Sequence, residues 1–364
     1  MTKERGQRKI LFLICVMASL IMTLCYSRLF SDGARRGIEL SAEKLIPSLF
    51  PSMVIAELAV GSSIGEVIAR PISGLLSKLF NISREASVPF ILGMIFGFPV
   101  SVRASISLYN EGKIDESELM RLPLFSVIPS PAFFISAVGE GLFGSLKFGA
   151  FLYGTAVISC VIIGIATRGL FVSSRGCYFC ENFARKKKDV SFVSAVTSSA
   201  SSLFVICSFV VFFSAFLEPL SVMLYALNLP ERLSVLILGA AEMTGGASLA
   251  SSLGAEGAPL VAAILGFSGF SVLCQLVAID QTKKIKIAPY IVARLFSAAF
   301  MFLLALVFLF AFGKESFKES TAPSFILYSD NNLSLSILAL FFCSLFMALC
   351  EGKRKIFGKT LYKR

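Results

Sequence analysis

The sequence predicts an all-α, polytopic membrane protein made of two inverted repeats, with about eight transmembrane helices and two re-entrant, broken helical hairpins. Three observations predict it. Of 364 residues, 56% are hydrophobic and 16% charged, with a mean hydropathy of +0.81. Soluble domains do not combine so little charge with so many long apolar runs. Two of those runs are cut by helix breakers, at Gly97-Phe98-Pro99 and at Glu242-Met243-Thr244-Gly245-Gly246. Glycine and proline leave backbone groups unpaired, which hydrocarbon tolerates only where the break lines a protein-enclosed cavity. Matching breaks in two halves mark a transporter site near the bilayer midplane. The third observation is the placement of the net charge of +11. Arg185-Lys186-Lys187-Lys188, Lys283-Lys284-Ile285-Lys286 and the tail from Lys353 to Arg364 all lie between or after apolar runs. Cytoplasmic loops of membrane proteins look like this, and nucleic acid is not the expected partner.

The first apolar segment, 10–27, follows Lys3, Arg5, Arg8 and Lys9 without a small-x-small cleavage site. It reads as a retained helix with a cytoplasmic N-terminus. Further segments fall at 42–62, 88–108, 122–144, 148–167, 193–217, 233–252, 258–279, 289–312 and 333–350, and Ile64 to Phe80 reads as an amphipathic interfacial helix. If every segment crossed, the basic loops at 185–188 and 283–286 would lie on opposite faces. If 88–108 and 233–252 enter and leave on one side, the N-terminus, both loops and the tail all face the cytoplasm. Arg28, Arg35 and Arg36 then lie outside, against the charge rule.

An internal repeat agrees with this arrangement. Asn81, Ser87, Val88, Ile91, Leu92 and Gly93 match Asn228, Ser234, Val235, Ile237, Leu238 and Gly239 with a single gap. Pro71 and Ser73 match Pro219 and Ser221, and Phe125-Ser126 resembles Phe267-Ser268. The expected units are 1–40 (N-terminal segment and first helix), 41–168 (first repeat), 169–192 (basic cytoplasmic loop), 193–312 (second repeat) and 313–364 (last helix and basic tail).

Ionisable residues inside apolar runs are costly and mark function by default. Glu57, Arg103, Glu242 and Arg294 qualify, although Arg294, near Lys286, is expected to snorkel to an interface. Glu140 and Lys147 flank a helix end and read as interfacial. At the first break a helix restarts after Pro99, and its free N–H groups would favour an anion. Gly97, Pro99, Ser101 and Arg103 are the candidates there. A proline kink whose arginine is merely neutralised by Glu57 is the other reading, and both stand. The second break supplies Glu242, Thr244 and Gly245, with glycine permitting close backbone approach. Polar clusters follow each break: Ser130 within Ser126–Pro131, and Ser268, Ser271 and Gln275.

The chain holds no histidine and no Walker A sequence, so neither an enzyme nor a cofactor is expected. Cys177 and Cys180 form one C-x-x-C pair, short of the about four ligands of a structural zinc site, and read as reduced and incidental.

Several of these motifs, in this order, resemble the YlbJ-type sporulation membrane proteins of the nucleoside-recognition (Gate) family. They are Leu49-Phe50-Pro51 through Glu57-Leu58-Ala59-Val60-Gly61, Gly97-Phe98-Pro99-Val100 and Ser130-Pro131-Ala132-Phe133-Phe134. In the second half they are Glu242-Met243-Thr244-Gly245 and Phe267-Ser268-Gly269-Phe270-Ser271-Val272, with Gln275. The chain departs from that family where Ile128-Pro129 replaces Asn-Thr and Leu273 replaces His. The resemblance implies a multi-pass protein of the mother-cell or outer forespore membrane in a spore-forming bacterium. It also implies a gate-type transporter or channel for a small aromatic anion, dipicolinic acid first. Two alternatives stay open: a nucleoside permease with the same gates, and a non-transporting scaffold of spore morphogenesis. The partners expected are that solute, the lipid bilayer, and further copies of the chain or other sporulation membrane proteins.

Overall fold

A computed structural model describes residues 23–61, 64–171, 191–280 and 282–313, with isolated positions between Leu13 and Ile21. The segment expected at 333–350, the basic cluster 185–188 and the Cys177/Cys180 pair lie outside the described residues. Every regular element among the described residues is helical, as the sequence predicts.

Helix α1, Ser27–Leu40, runs through a π-helical turn, Ser41–Leu45, into α2, Ile46–Gly61. This near-continuous rod packs along α8, Phe192–Ala226. The residues between the segments expected at 10–27 and 42–62 are therefore helical. Phe30, Gly33 and Gly37 form the buried stripe of α1 while Arg28, Asp32 and Arg35 face outward. The glycines permit the contact: a Cβ on Gly33 would stand 2.5 Å from Ser214 O, and one on Gly37 would stand 2.8 Å from Val211 Cα. Small residues let membrane helices approach this closely. Arg36 pairs with the buried Glu218 of α8, and Arg35 with Glu39 at 3.2 Å.

Helix α3, Ile64–Phe80, exposes Val67, Ile72 and Leu75 while burying Ala69, Leu76 and Phe80. Helices α4, Ser87–Phe96, and α5, Val100–Asn110, fold against each other as the first hairpin. Helix α6, Glu116–Ser126, begins with an Asp115/Glu118 capping box and stops at a second break. The chain resumes as a π-helical segment, Phe133–Glu140, and a short turn, Gly141–Phe143. Helix α7, Leu146–Ala166, closes the first half.

After α8, helices α9, Glu231–Ala241, and α10, Met243–Ser251, form the second hairpin. Helices α11, Ala258–Phe267, and α12, Gly269–Ile279, are one rod broken at Ser268, and α13 spans Ile287–Phe312. Leu146–Ala166, Phe192–Ala226, Gly254–Ile279 and Ile287–Phe312 are each long and apolar enough to cross a membrane.

Residues matched between the halves carry the same local structure. Gly93 lets α4 close on α5, where a Cβ would meet Ser101 Cβ at 2.7 Å. Its counterpart Gly239 is also approached by its hairpin partner, since a Cβ added to Gly246 would meet Gly239 N at 2.7 Å, while a Cβ on Gly239 itself would meet the Ile264 side chain of α11 at 2.4 Å. Ser73 Oγ donates to Arg70 O at 3.0 Å, and its counterpart Ser221 donates to Glu218 O at 2.7 Å.

The hairpins also open toward opposite faces. Lys284, after α12, donates to Tyr109 at the end of α5 and to Glu116 Oε2 at 2.5 Å. That contact puts the base of the first hairpin beside the basic loop 283–286. Arg232, opening α9, pairs with Glu256 at 2.6 Å, just before α11. The Gly254–Ile279 rod runs between these two levels, so the bases of the hairpins lie at its opposite ends.

Candidate functional site

Four helix breaks meet. In the first half, Phe98 N donates to Ile128 O at 2.7 Å, pairing the tip of the first hairpin with the break after α6. Gly97 has φ 78°, and a Cβ there would stand 2.5 Å from Ser130 N, so only glycine fits. In the second half, Ser268 and Gly269 both adopt positive φ, 69° and 75°, and a Cβ on Gly269 would lie 3.1 Å from Met243 N. Between the breaks lies a cavity of about 50 Å³. The first half contributes Phe98, Pro129 and Phe133 to its wall, and the second contributes Glu242, Met243, Thr244, Val272 and Gln275. Leu45, Leu49, Ile206 and Val210, from the α1–α2 rod and α8, complete it.

Glu242 is 1% exposed. Its Oε1 accepts from Thr244 N at 2.9 Å and its Oε2 from Gly245 N at 2.5 Å, so the carboxylate caps α10. The positive helix end stabilises the charge that burial opposes. The contribution of Gly245 is its backbone N–H. Gln275 Nε2 donates to Ser271 Oγ at 3.2 Å, which orients the amide at the cavity. Ser130 Oγ accepts from Phe133 N at 3.3 Å and starts the π-helical segment. Ser268 Oγ donates to Leu265 O at 3.2 Å, a bond back to its own helix. Gly97 and Pro99 flank Phe98 and shape the tip. Ser101 is fully buried behind the tip against Gly93.

Arg103 and Glu57 stand elsewhere. Arg103 Nη1 lies 3.6 Å from Glu57 Oε2 and donates to Ser198 Oγ at 3.2 Å, while Ser198 donates to Glu57 Oε1 at 2.9 Å. The triad joins α2, α5 and α8, with the Arg103 and Glu57 side chains 32% and 30% exposed. Glu57 lies two turns beyond the cavity residue Leu49, about 12 Å along α2. Of the two readings of Arg103, pairing with Glu57 describes the geometry.

Arg294 departs from expectation. It does not snorkel: it is 1% exposed and donates to Val127 O at 2.6 Å and Leu124 O at 2.8 Å. The broken end of α6 leaves those carbonyls without helical donors, and the guanidinium fork fits two at once. Sequence reasoning also passed over Arg121, which donates to Phe80 O at 2.6 Å and Asn81 O at 3.0 Å and so finishes α3. Arg121 sits just before an apolar run, and its position beside Leu119 and Leu122 was the available signal. Tyr153, which donates to Met94 O at 2.6 Å, was missed because nothing in an apolar helix sets one tyrosine apart.

Among the described residues the cavity is lined by one carboxylate, one amide, one hydroxyl and two phenyl rings, and by no lysine or arginine. The wall is thus mostly apolar, with the Glu242, Thr244 and Gln275 side chains set among Phe, Leu, Ile and Val. No three potential ligands cluster to hold a metal among the described residues.

The chain is similar to the sporulation integral membrane protein YlbJ of Bacillus subtilis (strain 168), with 26% identity over 319 residues, 75% of this chain and 77% of that protein. The YlbJ-type resemblance carried by the motifs is thereby borne out. No family profile matches the chain, and no solved structure matches it.

Proposed function

We propose that this integral membrane protein is a sporulation transporter, not an enzyme, that carries a small planar aromatic solute through the cavity where its four helix breaks meet. The convergence of both broken hairpins and both broken helices on one small cavity, with Glu242 and Gln275 in its wall, carries the reading. Irregular backbone inside a membrane protein is tolerated where it lines such a cavity, and two repeats meeting at one site is the architecture of alternating access. The role in sporulation rests on the name of the similar Bacillus protein. A cavity of about 50 Å³ holds only a few waters. That space is too small for an aromatic ring, so a hairpin must move to admit one.

The charge of the wall ranks the two solute classes. An uncharged nucleoside can donate to Glu242 and stack on a phenyl ring. A dipicolinate dianion would face the Glu242 carboxylate with no countercharge in the wall. It fits when its carboxyl groups carry protons. A scaffold has no need of a cavity with an ionisable group in its wall.

The test is uptake of labelled uridine and dipicolinate by the purified protein in liposomes, with dipicolinate assayed in spores of a deletion strain. Uptake of one solute that Glu242→Gln abolishes is the expected result. Absence of uptake of both by well-folded protein, with normal spore dipicolinate, would sink the proposal.

A further inference from the structure

The breaks leave backbone carbonyls without their usual donors, and two side chains on the long outer helices supply them. In α4 the carbonyl of Met94 would pair with the N–H of Phe98, but that N–H is directed to Ile128 O. The Tyr153 hydroxyl of α7 donates to Met94 O instead, at 2.6 Å. Just past the end of α6, Val127 is extended (φ −91°, ψ 93°), so its carbonyl has no helical donor ahead of it. Arg294 of α13 donates to it at 2.6 Å and to Leu124 O at 2.8 Å. Phe98, Pro129 and Phe133, the cavity wall of the first half, hang from these two repaired breaks.

The two donors also share a frame. Ser159 of α7 and Ser297 of α13 are both buried, and their hydroxyls hydrogen-bond at 2.8 Å. Tyr153 and Arg294 therefore stand on helices fixed to each other, one gripping the hairpin tip and the other the broken α6. No carboxylate pairs with Arg294 among the described residues. Its charge goes into two carbonyls, an expensive arrangement to keep in a membrane unless those carbonyls must hold their place.

We infer that Tyr153 and Arg294 are positioning residues for the solute site, holding the breaks of α4 and α6 at the spacing that shapes the cavity without touching the solute. The inference rests on the transporter reading. It implies that α7 and α13 form the stationary frame, and that solute preference depends on side chains outside the cavity.

The test uses the full chain on a cysteine-free background with Val272→Cys as a reporter on the opposite cavity wall. A small methanethiosulfonate reagent reads its accessibility whether or not anything is transported. Tyr153→Phe removes one hydroxyl, and Arg294→Lys keeps the charge but loses the two-pronged fork. Each variant should accumulate normally and change the Val272→Cys modification rate by about three- to tenfold, the effect of one lost hydrogen bond. The ratio of uridine to dipicolinate uptake should shift by a similar factor. A merely structural role would lower abundance or melting temperature and leave both quantities alone. If Arg294→Lys does not accumulate, Tyr153→Phe decides. Wild-type modification rates and an unchanged uptake ratio in the accumulating variants would overturn the inference. If the parent protein moves neither solute while the modification rate still responds to both substitutions, the clamp stands and the transporter reading falls.

Discussion

Asn81 and Asn228 adopt the same left-handed backbone, φ 53° and 52°, at the ends of α3 and α8. They are matched positions of the internal repeat, and each turns the chain from a helix into a hairpin. Asparagine tolerates this conformation better than other residues with a side chain. Alanine at either position should cost about 1 kcal/mol and glycine almost nothing. Melting of the detergent-solubilised protein should show equal losses for Asn81→Ala and Asn228→Ala. Unequal losses would mean that the two turns are not equivalent.

The second hairpin depends on the absence of side chains where its arms touch. A Cβ on Gly246 would fall on Gly239 Cα, with Gly239 N at 2.7 Å, and backbone cannot move aside as a flexible side chain can. Gly246→Ala should abolish accumulation of folded protein. Gly74→Ala, where nothing lies within 4 Å of the added carbon, should be neutral or stabilising by about 0.5–1 kcal/mol in helix α3. Quantitative blotting of membranes separates the two.

The opposite orientation of the hairpins predicts that Lys113 and Glu256 lie on different sides of the membrane. Cysteines at 113 and 256, on a cysteine-free background, should react with an impermeant thiol reagent from the cytoplasm and from outside, respectively. Reaction of both from one side refutes the inverted arrangement.

Arg103 separates the two solute classes. Paired with Glu57 and Ser198 outside the cavity wall, it offers a countercharge that only an anion needs. Arg103→Gln should lower dipicolinate uptake roughly tenfold, within the range of one charged hydrogen bond, and leave uridine uptake unchanged. Glu57→Gln in the same protein should not restore it. Equal loss of both solutes would make the arginine a purely structural partner of Glu57.

The tie between the halves at Lys284 predicts a pH dependence. Hydrogen bonds to Glu116 and Tyr109 raise the Lys284 ammonium above the ordinary lysine range. A raised folded value gives stabilisation that is complete below the unfolded value, near about 10.4, and is lost as pH rises through the folded one. The melting difference between wild type and Lys284→Ala should therefore be constant from neutral to mildly alkaline pH and shrink only above that. Glu116 is half exposed, so the difference should be small and fall with added salt.

Composition, breaker placement and charged loops were enough to read an all-helical membrane chain, two hairpins and the matched positions of its repeat. These are local or additive properties: apolar length decides insertion, proline and glycine decide where a helix stops, and both are written residue by residue. Glu242, Thr244 and Gln275 were legible as site candidates because polar groups in apolar runs stand out. Arg103 and Arg294 were equally conspicuous, yet their roles were not legible. Whether a buried arginine meets a solute, a carboxylate or a pair of carbonyls depends on which helices lie beside it. Only packing brought Glu57 and Ser198 to Arg103, turned Arg294 onto the orphaned carbonyls of Leu124 and Val127, and gathered four separate breaks around one cavity. Each of those contacts joins residues far apart in the chain, and no local preference encodes them.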